Sequence, residues 1–185
     1  MRTLLLLRHA KSGWGDPTLA DFDRPLAPRG RRTAPRMAQW LAAHGPLPER
    51  AVCSTARRAR ETWELFAAAL GHAVDARFEE RLYHASPATI LGIVADLPDE
   101  AKTAILVGHN PGFEETAQGF AGRGAATEAK RSLAQGFPTA GLAIVESRAG
   151  SWAELAAGDG ALRALMRPRT LGDDACDDRN RRVTP

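Results

Sequence analysis

Three short segments of this chain carry side chains suited to holding an anion, and each comes directly after an apolar run: Arg8-His9, the stretch from Ser54 to Arg58, and His109. Guanidinium forks match the oxygens of a phosphate, and a neutral imidazole is a nucleophile that can work near neutral pH. Taken singly, each residue has a plainer explanation. A histidine in apolar sequence is commonly a hydrogen-bonded core residue, and Arg58 sits in a cluster with Arg57 and Arg60 that a solvated helix face would explain. Their shared position favours function, because open α/β sheets bind ligands in the crevice beyond the carboxyl ends of their strands. If the three segments converge there, two arginines, two histidines and the N-terminal end of the helix after Ser54 form a phosphate pocket.

The elements that would position these residues read as alternating strands and helices. Residues 3 to 7, 50 to 53 and 103 to 108 are short apolar strands of the buried parallel kind. Gly13, Gly15, Pro17, Pro25 and Pro28 make residues 12 to 28 a surface loop. An amphipathic helix over Arg29 to His44 is expected to become regular near Pro35 and to end at Gly45-Pro46. A second helix should run from about Ala56 to Leu70, capped by Ser54 and closed by Gly71. A third, from Pro87 to Leu97, has Ser86 as its cap, and a fourth lies around Phe113 to Phe120 after the Asn110-Pro111-Gly112 turn. Residues 141 to 146 and 151 to 156 read as a closing pair of strands, with the turn at Gly150. The whole implies a three-layer α/β fold, a mostly parallel sheet with helices on both faces. Residues 122 to 136 suit a mobile flap or a helix equally. Residues 1 to 171 form one expected domain, and the polar stretch 172 to 185 is expected to be a disordered tail.

Composition narrows the classes. The 185 residues, 44% hydrophobic and 25% charged, suit a domain with a full core. No apolar run is long enough for a membrane span, and the first seven residues are too short for a signal-peptide core, so a cytoplasmic protein without membrane partners is expected. Cys53 and Cys176 are far apart and in unlike settings, which supports neither a disulfide framework nor a metal site. The net charge of +3 hides an asymmetry: residues through 60 carry a net of +8 and the remainder −5. A basic first third fits a solvated face, an anion pocket or nucleic-acid binding. The last is disfavoured because no aromatics are interleaved for base stacking. No GxxxxGK[ST] or GxGxxG loop is present.

Four segments together resemble a known family. Leu7-Arg8-His9-Ala10, Ser54-Thr55-Ala56-Arg57-Arg58-Ala59 with Glu61-Thr62, and Gly108-His109-Asn110-Pro111 are similar to the signature segments of the histidine phosphatase superfamily. Arg8-His9-Ala10-Lys11-Ser12, Asp23-Arg24-Pro25-Leu26 with Arg29-Gly30, and Leu82-Tyr83 with Ala85-Ser86-Pro87 resemble its small SixA-type phosphohistidine phosphatases. The resemblance runs from residue 2 to about 171. It implies a phosphoglycerate mutase-like fold and a metal-independent, cofactor-free phosphatase in which His9 accepts the phosphoryl group while Arg8, Arg58 and His109 hold its oxygens. It also implies a phosphohistidine-bearing protein as substrate and partner, a role in signalling, and a pocket that takes phosphate or sulfate but no nucleic acid. Glu80 resembles the proton-donating acid of mutase-like relatives, and Lys11, Arg24 and Asn110 are rim or substrate-binding residues by the same comparison. Two departures stand out: Ala10 replaces a glycine and Thr55 a proline. A phosphomonoesterase or mutase acting on a small metabolite is the second reading, and a non-catalytic anion- or nucleic-acid-binding module is the third.

Overall fold

The computed structural model describes residues 1 to 171 except 14, 16 and 123. Its elements are β1 (Arg2–Arg8), α1 (Pro28–His44), β2 (Arg50–Ser54), α2 (Arg57–Leu70), β3 (Asp75–Glu79), α3 (Pro87–Ala95), β4 (Thr103–Gly108), α4 (Gly112–Ala121), α5 (Thr127–Ala134), β5 (Leu142–Ser147), α6 (Trp152–Ala156) and β6 (Ala161–Met166). Single 3-10 turns occupy Asp21–Asp23, Glu80–Leu82 and Pro168–Thr170. The strands form one sheet in the order β3-β2-β4-β1-β5-β6. Neighbours from β3 to β1 are parallel, and β5 runs antiparallel to both β1 and β6.

The four leucines of β1 show why both faces of the sheet are covered. Leu4 and Leu6 point into a core completed by Ile90, Phe113, Leu133 and Trp152, from α3 to α6. Leu5 and Leu7 point the other way, into Met37, Leu41, Trp63 and Phe66 of α1 and α2. All four are fully buried, each contributing on the order of 1.5–3 kcal/mol. An uninterrupted leucine run is thus the signature of a strand with no solvent face, and helices lie on both sides as expected. No helix among the described residues is long and apolar enough to cross a membrane. Cys53 is buried in this second core, and burial pushes its thiol pKa up; Cys176 and the expected tail lie outside the described residues.

Several local expectations need correction. Helix α1 is regular from Pro28 and carries Pro35 in its interior. Pro28 takes the first helical position, where no N–H is needed. Burial of Gly30, Ala34, Met37, Ala38 and Leu41 outweighs the roughly 3 kcal/mol that an internal proline costs. Ser54 does not cap α2: the cap residue is Ala56, without a side-chain acceptor, and the Ser54 hydroxyl is used elsewhere. Residues 151 to 156 form not a strand but the one-turn helix α6. Ser151 accepts from the Glu154 N–H while the Glu154 carboxylate accepts from Gly150 N–H at 2.7 Å, a near-reciprocal capping arrangement that turns Trp152 and Leu155 inward. The sheet ends instead at β6, and β3 is added at its other edge. Residues 127 to 134 settle as α5, packed on β6.

One glycine sets how α1 meets the loop after β1. A Cβ built on Gly30 would lie 2.2 Å from the Lys11 carbonyl oxygen, the same oxygen that accepts from Ala27 N–H at 2.8 Å. Gly30→Ala gains about 1 kcal/mol of helix propensity but forces two backbones apart. A net loss of about 1–3 kcal/mol is expected, seen as a melting temperature several degrees lower; an unchanged value would show that the contact is not tight.

Candidate active site

The parallel register brings the strand ends to one edge of the sheet. Arg8 lies beside Gly108 and Cys53 beside Val107, so the residues that follow each strand emerge together. The backbone just past β1 is held on three sides. His9 N–H donates to the Gly108 carbonyl at 2.9 Å, and Arg8 N–H to Gly141 at 3.0 Å. Ala10 N–H donates to the Thr62 hydroxyl at 3.0 Å, which itself donates to the Arg58 carbonyl. Thr62 thereby ties the first turn of α2 to the His9 loop. Ala140 closes the third side, donating its N–H to the Arg8 and His9 carbonyls from a left-handed conformation at φ +56°. Such a conformation is uncommon for a residue with a Cβ and gathers at functional sites. Ala10 does not lie in that region, so the loop needs no glycine there, and its methyl is fully buried.

His9 is 8% exposed and its ring is oriented from both nitrogens. Nδ1 lies 2.8 Å from the Ala10 carbonyl, which can only accept, so Nδ1 carries the proton. The lone pair is then on Nε2, and Arg58 Nε points a donor at it from 3.3 Å. Burial lowers the His9 pKa to about 3, with the charges of Arg58, Arg8 and Arg24 adding to the effect against the Ala10 hydrogen bond. His109 lies with its ring centroid 5.1 Å from that of His9, and its Nε2 is 2.8 Å from the Ser54 hydroxyl. Burial lowers it to about 2, helped by His9, Arg58 and His84 and opposed by Asp21. Both rings are neutral at physiological pH.

These shifts have a consequence for stability. Both rings are less basic folded than at their ordinary value of 6.5, so the unfolded chain takes up protons that the folded chain refuses. Stability is full above that value and falls as the pH drops below it, by at most about 1.4 kcal/mol per pH unit for each ring. Unfolding free energies from urea titrations at pH 7.5 and 5 should therefore differ by about 2–4 kcal/mol, with a lower midpoint at pH 5. Equal midpoints would refute the neutral-pair description.

The remaining residues sort by contact. Arg8 donates to the Phe137 carbonyl at 2.6 Å, and Asn110 Nδ2 shares that acceptor at 3.2 Å while holding Glu114 at 2.8 Å. Arg8 Nε, His109 Nδ1 and Asn110 Oδ1 are buried without partners among the described residues, each unmet group costing about 1–3 kcal/mol. Arg24 is buried and engaged with Gly13, Ser12 and Asp21, so it fixes the loop. Lys11 is exposed at the rim. Glu80 is exposed on its 3-10 turn, and its carboxylate makes no hydrogen bond or ion pair among the described residues.

Asp21 is the residue that sequence reading missed. Its carboxylate accepts from Arg58 at 2.9 Å, Arg24 at 2.6 Å and the Tyr83 hydroxyl at 2.8 Å, and lies 3.8 Å from His84 Nε2. Partial burial raises its pKa, but the hydrogen bonds from Tyr83 and Arg24 and the charge of Arg58 outweigh this and hold it well below the usual carboxylate range. Tyr83 joins the site edge-on to His109, with centroids 5.5 Å apart. Nothing in the loop around Asp21 distinguishes it from Asp23, since its partners besides Arg24 come from 37 and 62 residues away.

The model of the histidine phosphatase superfamily (branch 1) matches residues 4–145. The chain belongs to the histidine phosphatase superfamily. ML1117, an uncharacterized protein of Mycobacterium leprae, is 38% identical over 169 residues, covering 88% of this chain and all of that one. A candidate SixA phosphohistidine phosphatase from Nakamurella multipartitia superposes with a TM-score of 0.77 at 34% identity, covering 90% of this chain and 96% of its own. Another from Agrobacterium tumefaciens gives 0.75 at 30% identity over 90% and 98%. The six-stranded sheet is thus that of the phosphoglycerate mutase-like histidine phosphatases.

Proposed function

We propose that this histidine phosphatase hydrolyses phosphohistidine carried on a protein, with His9 Nε2 as the phosphoryl acceptor. The observation that carries the reading is the state of Asp21. The carboxylate that reaches the pocket is kept ionised by Arg58, Arg24 and Tyr83, so it has no proton for a leaving group. An alkoxide leaving from a sugar phosphate needs one; an imidazole leaving from phosphohistidine does not, because its other ring nitrogen takes a proton from water beforehand. The reading therefore gives Glu80 no part in the chemistry. The SixA-type names of the neighbouring structures favour the same substrate.

The reaction runs as two in-line displacements. The Nε2 lone pair of His9 attacks phosphorus, and the bond from phosphorus to the substrate nitrogen breaks, releasing a neutral imidazole. Arg58 Nε, freed from Nε2, donates to a phosphoryl oxygen beside Arg8, and His109 donates to another. Water then attacks phosphorus from the opposite side, the P–Nε2 bond breaks, and its proton passes to phosphate or solvent. The Nδ1–H held by Ala10 makes the departing ring neutral in this second step. Charge is balanced by arginines rather than a metal. Among the described residues no three His, Cys, Asp or Glu side chains are grouped as metal donors, and a cationic pocket repels a cation.

The experiment compares kcat/KM on a phosphohistidine-bearing protein, an aryl phosphate and a panel of sugar phosphates, with and without EDTA. Turnover is expected on the first two, whose leaving groups need no enzyme proton, with sugar phosphates at least 100-fold poorer and no loss in chelator. Preference for a sugar phosphate would refute the substrate, and collapse in EDTA the metal-free chemistry.

A further inference from the structure

Beside the pocket runs a groove that the reaction does not use. Two cavities of about 270 and 410 Å³ share Arg29, Thr33, Pro168 and Arg169 as walls. Lys11, Arg29, Arg32, Arg36, Arg167 and Arg169 line them, and among the described residues no carboxylate does. Several basic residues elsewhere are paired on the surface, as Arg31 and Arg57 are with Glu61, Arg81 with Glu79 and Arg163 with Glu146. Lys11, Arg29 and Arg32 carry no ion pair among the described residues. The groove's inner wall is also preorganised. Arg167 is held by the carbonyls of Ser132, Gly136 and Gln135 at the end of α5, and Arg169 by the Gln135 side chain.

The groove adjoins the reacting atoms. Pro138 and Thr139 line it, between Phe137, whose carbonyl holds Arg8, and Ala140, whose N–H holds the His9 backbone. Lys11 lies two residues beyond His9 at the same end. One ligand can therefore place a phosphoryl group on His9 and carboxylates along Lys11, Arg29 and Arg32. Among the described residues no aromatic side chain lines either cavity, so none of them stacks on a nucleic-acid base.

We propose that this groove docks an acidic segment of the phosphoprotein substrate and selects among phosphohistidine proteins by charge. This rests on the substrate reading above. Complementary charge at a rim acts mainly on encounter rate, so it moves KM more than kcat and weakens with salt.

The test is the double variant R29E/R32E, whose positions are exposed and outside the catalytic pocket. Against a phosphohistidine domain with an acidic surface, its KM should rise at least tenfold with kcat retained, and the salt dependence of the wild type should flatten. Rates on an aryl phosphate should be unchanged. An unaltered KM for the acidic domain would overturn the proposal. If the wild type turns over no phosphohistidine at all, the substrate reading fails separately, and the groove is judged by binding of a labelled peptide of eight glutamates. The wild type must capture that peptide and R29E/R32E must lose it; no capture overturns the groove. Tighter capture of an oligonucleotide would also overturn it. So would capture seen only after removal of residues 172 to 185, which would assign the groove to the chain's own Asp173, Asp174, Asp177 and Asp178.

Discussion

Replacing His9 by alanine is expected to lower kcat on any phosphoryl substrate by at least about 10⁴-fold, the scale on which enzymes lose covalent nucleophiles. The neighbouring donors cannot compensate. Arg8 and Arg58 bind the phosphoryl oxygens, and His109 is turned through Nε2 toward Ser54. The fold should survive. The substitution removes one hydrogen bond to the Ala10 carbonyl, costing about 0.5–1.5 kcal/mol, and deletes a ring that disfavours the folded state at low pH. Added imidazole should restore part of the rate, since it supplies the missing lone pair in the space the side chain left. Stopped-flow measurement on an aryl phosphate, with and without imidazole, checks this. Full activity without imidazole would remove His9 from the mechanism, and lost activity with a lowered melting temperature and no rescue would make its role structural.

Arg58→Ala carries the second-largest expected effect, a fall of about 10–10²-fold in kcat/KM from the lost charge-assisted hydrogen bond of Nε to the phosphoryl group, at about 1.5–3 kcal/mol. The loss has a second part, because Arg58 also holds the Asp21 carboxylate and lies over the Tyr83 ring at 5.7 Å. Without it the Asp21 pKa climbs back toward the ordinary range, and the 3-10 turn loses an anchor. Arg58→Lys separates the two parts. It keeps the charge that lowers the His9 pKa but loses the fork that bridges Asp21 and phosphate, so most of the rate loss should remain while the acid limb of the pH profile stays put. Wild-type rates in Arg58→Lys would show that charge alone suffices.

Apolar continuity and residue type were readable along the chain. The leucines of β1 and the 103–108 run announced buried parallel strands, because a strand covered on both faces needs no polar alternation. From parallel strands follows the edge at which Arg8, His9, Arg58 and His109 meet, and the α/β class with it. Edge strands left no such trace. Asp75–Glu79 is largely exposed and polar, and Ala161–Met166 is interrupted by a register shift opposite Ile144 and Val145. The helix at Trp152–Ala156 is one turn long, too short to show a helical period along the chain, and it is fixed by the contacts of Ser151 and Glu154.

What only the tertiary structure decided was how the pocket is held and charged. Which nitrogen of His9 bears the proton depends on the Ala10 carbonyl and on Arg58, brought from 49 residues away. The choice of Asp21 over Glu80 as the pocket's carboxylate depends on donors 3, 37 and 62 residues distant, and the basic groove on α1 meeting the chain near Arg169. Local sequence sets which atoms are available, through propensity and side-chain chemistry. Distance between atoms far apart in the chain sets pKa, tautomer and charge complementarity, and folding alone supplies that distance.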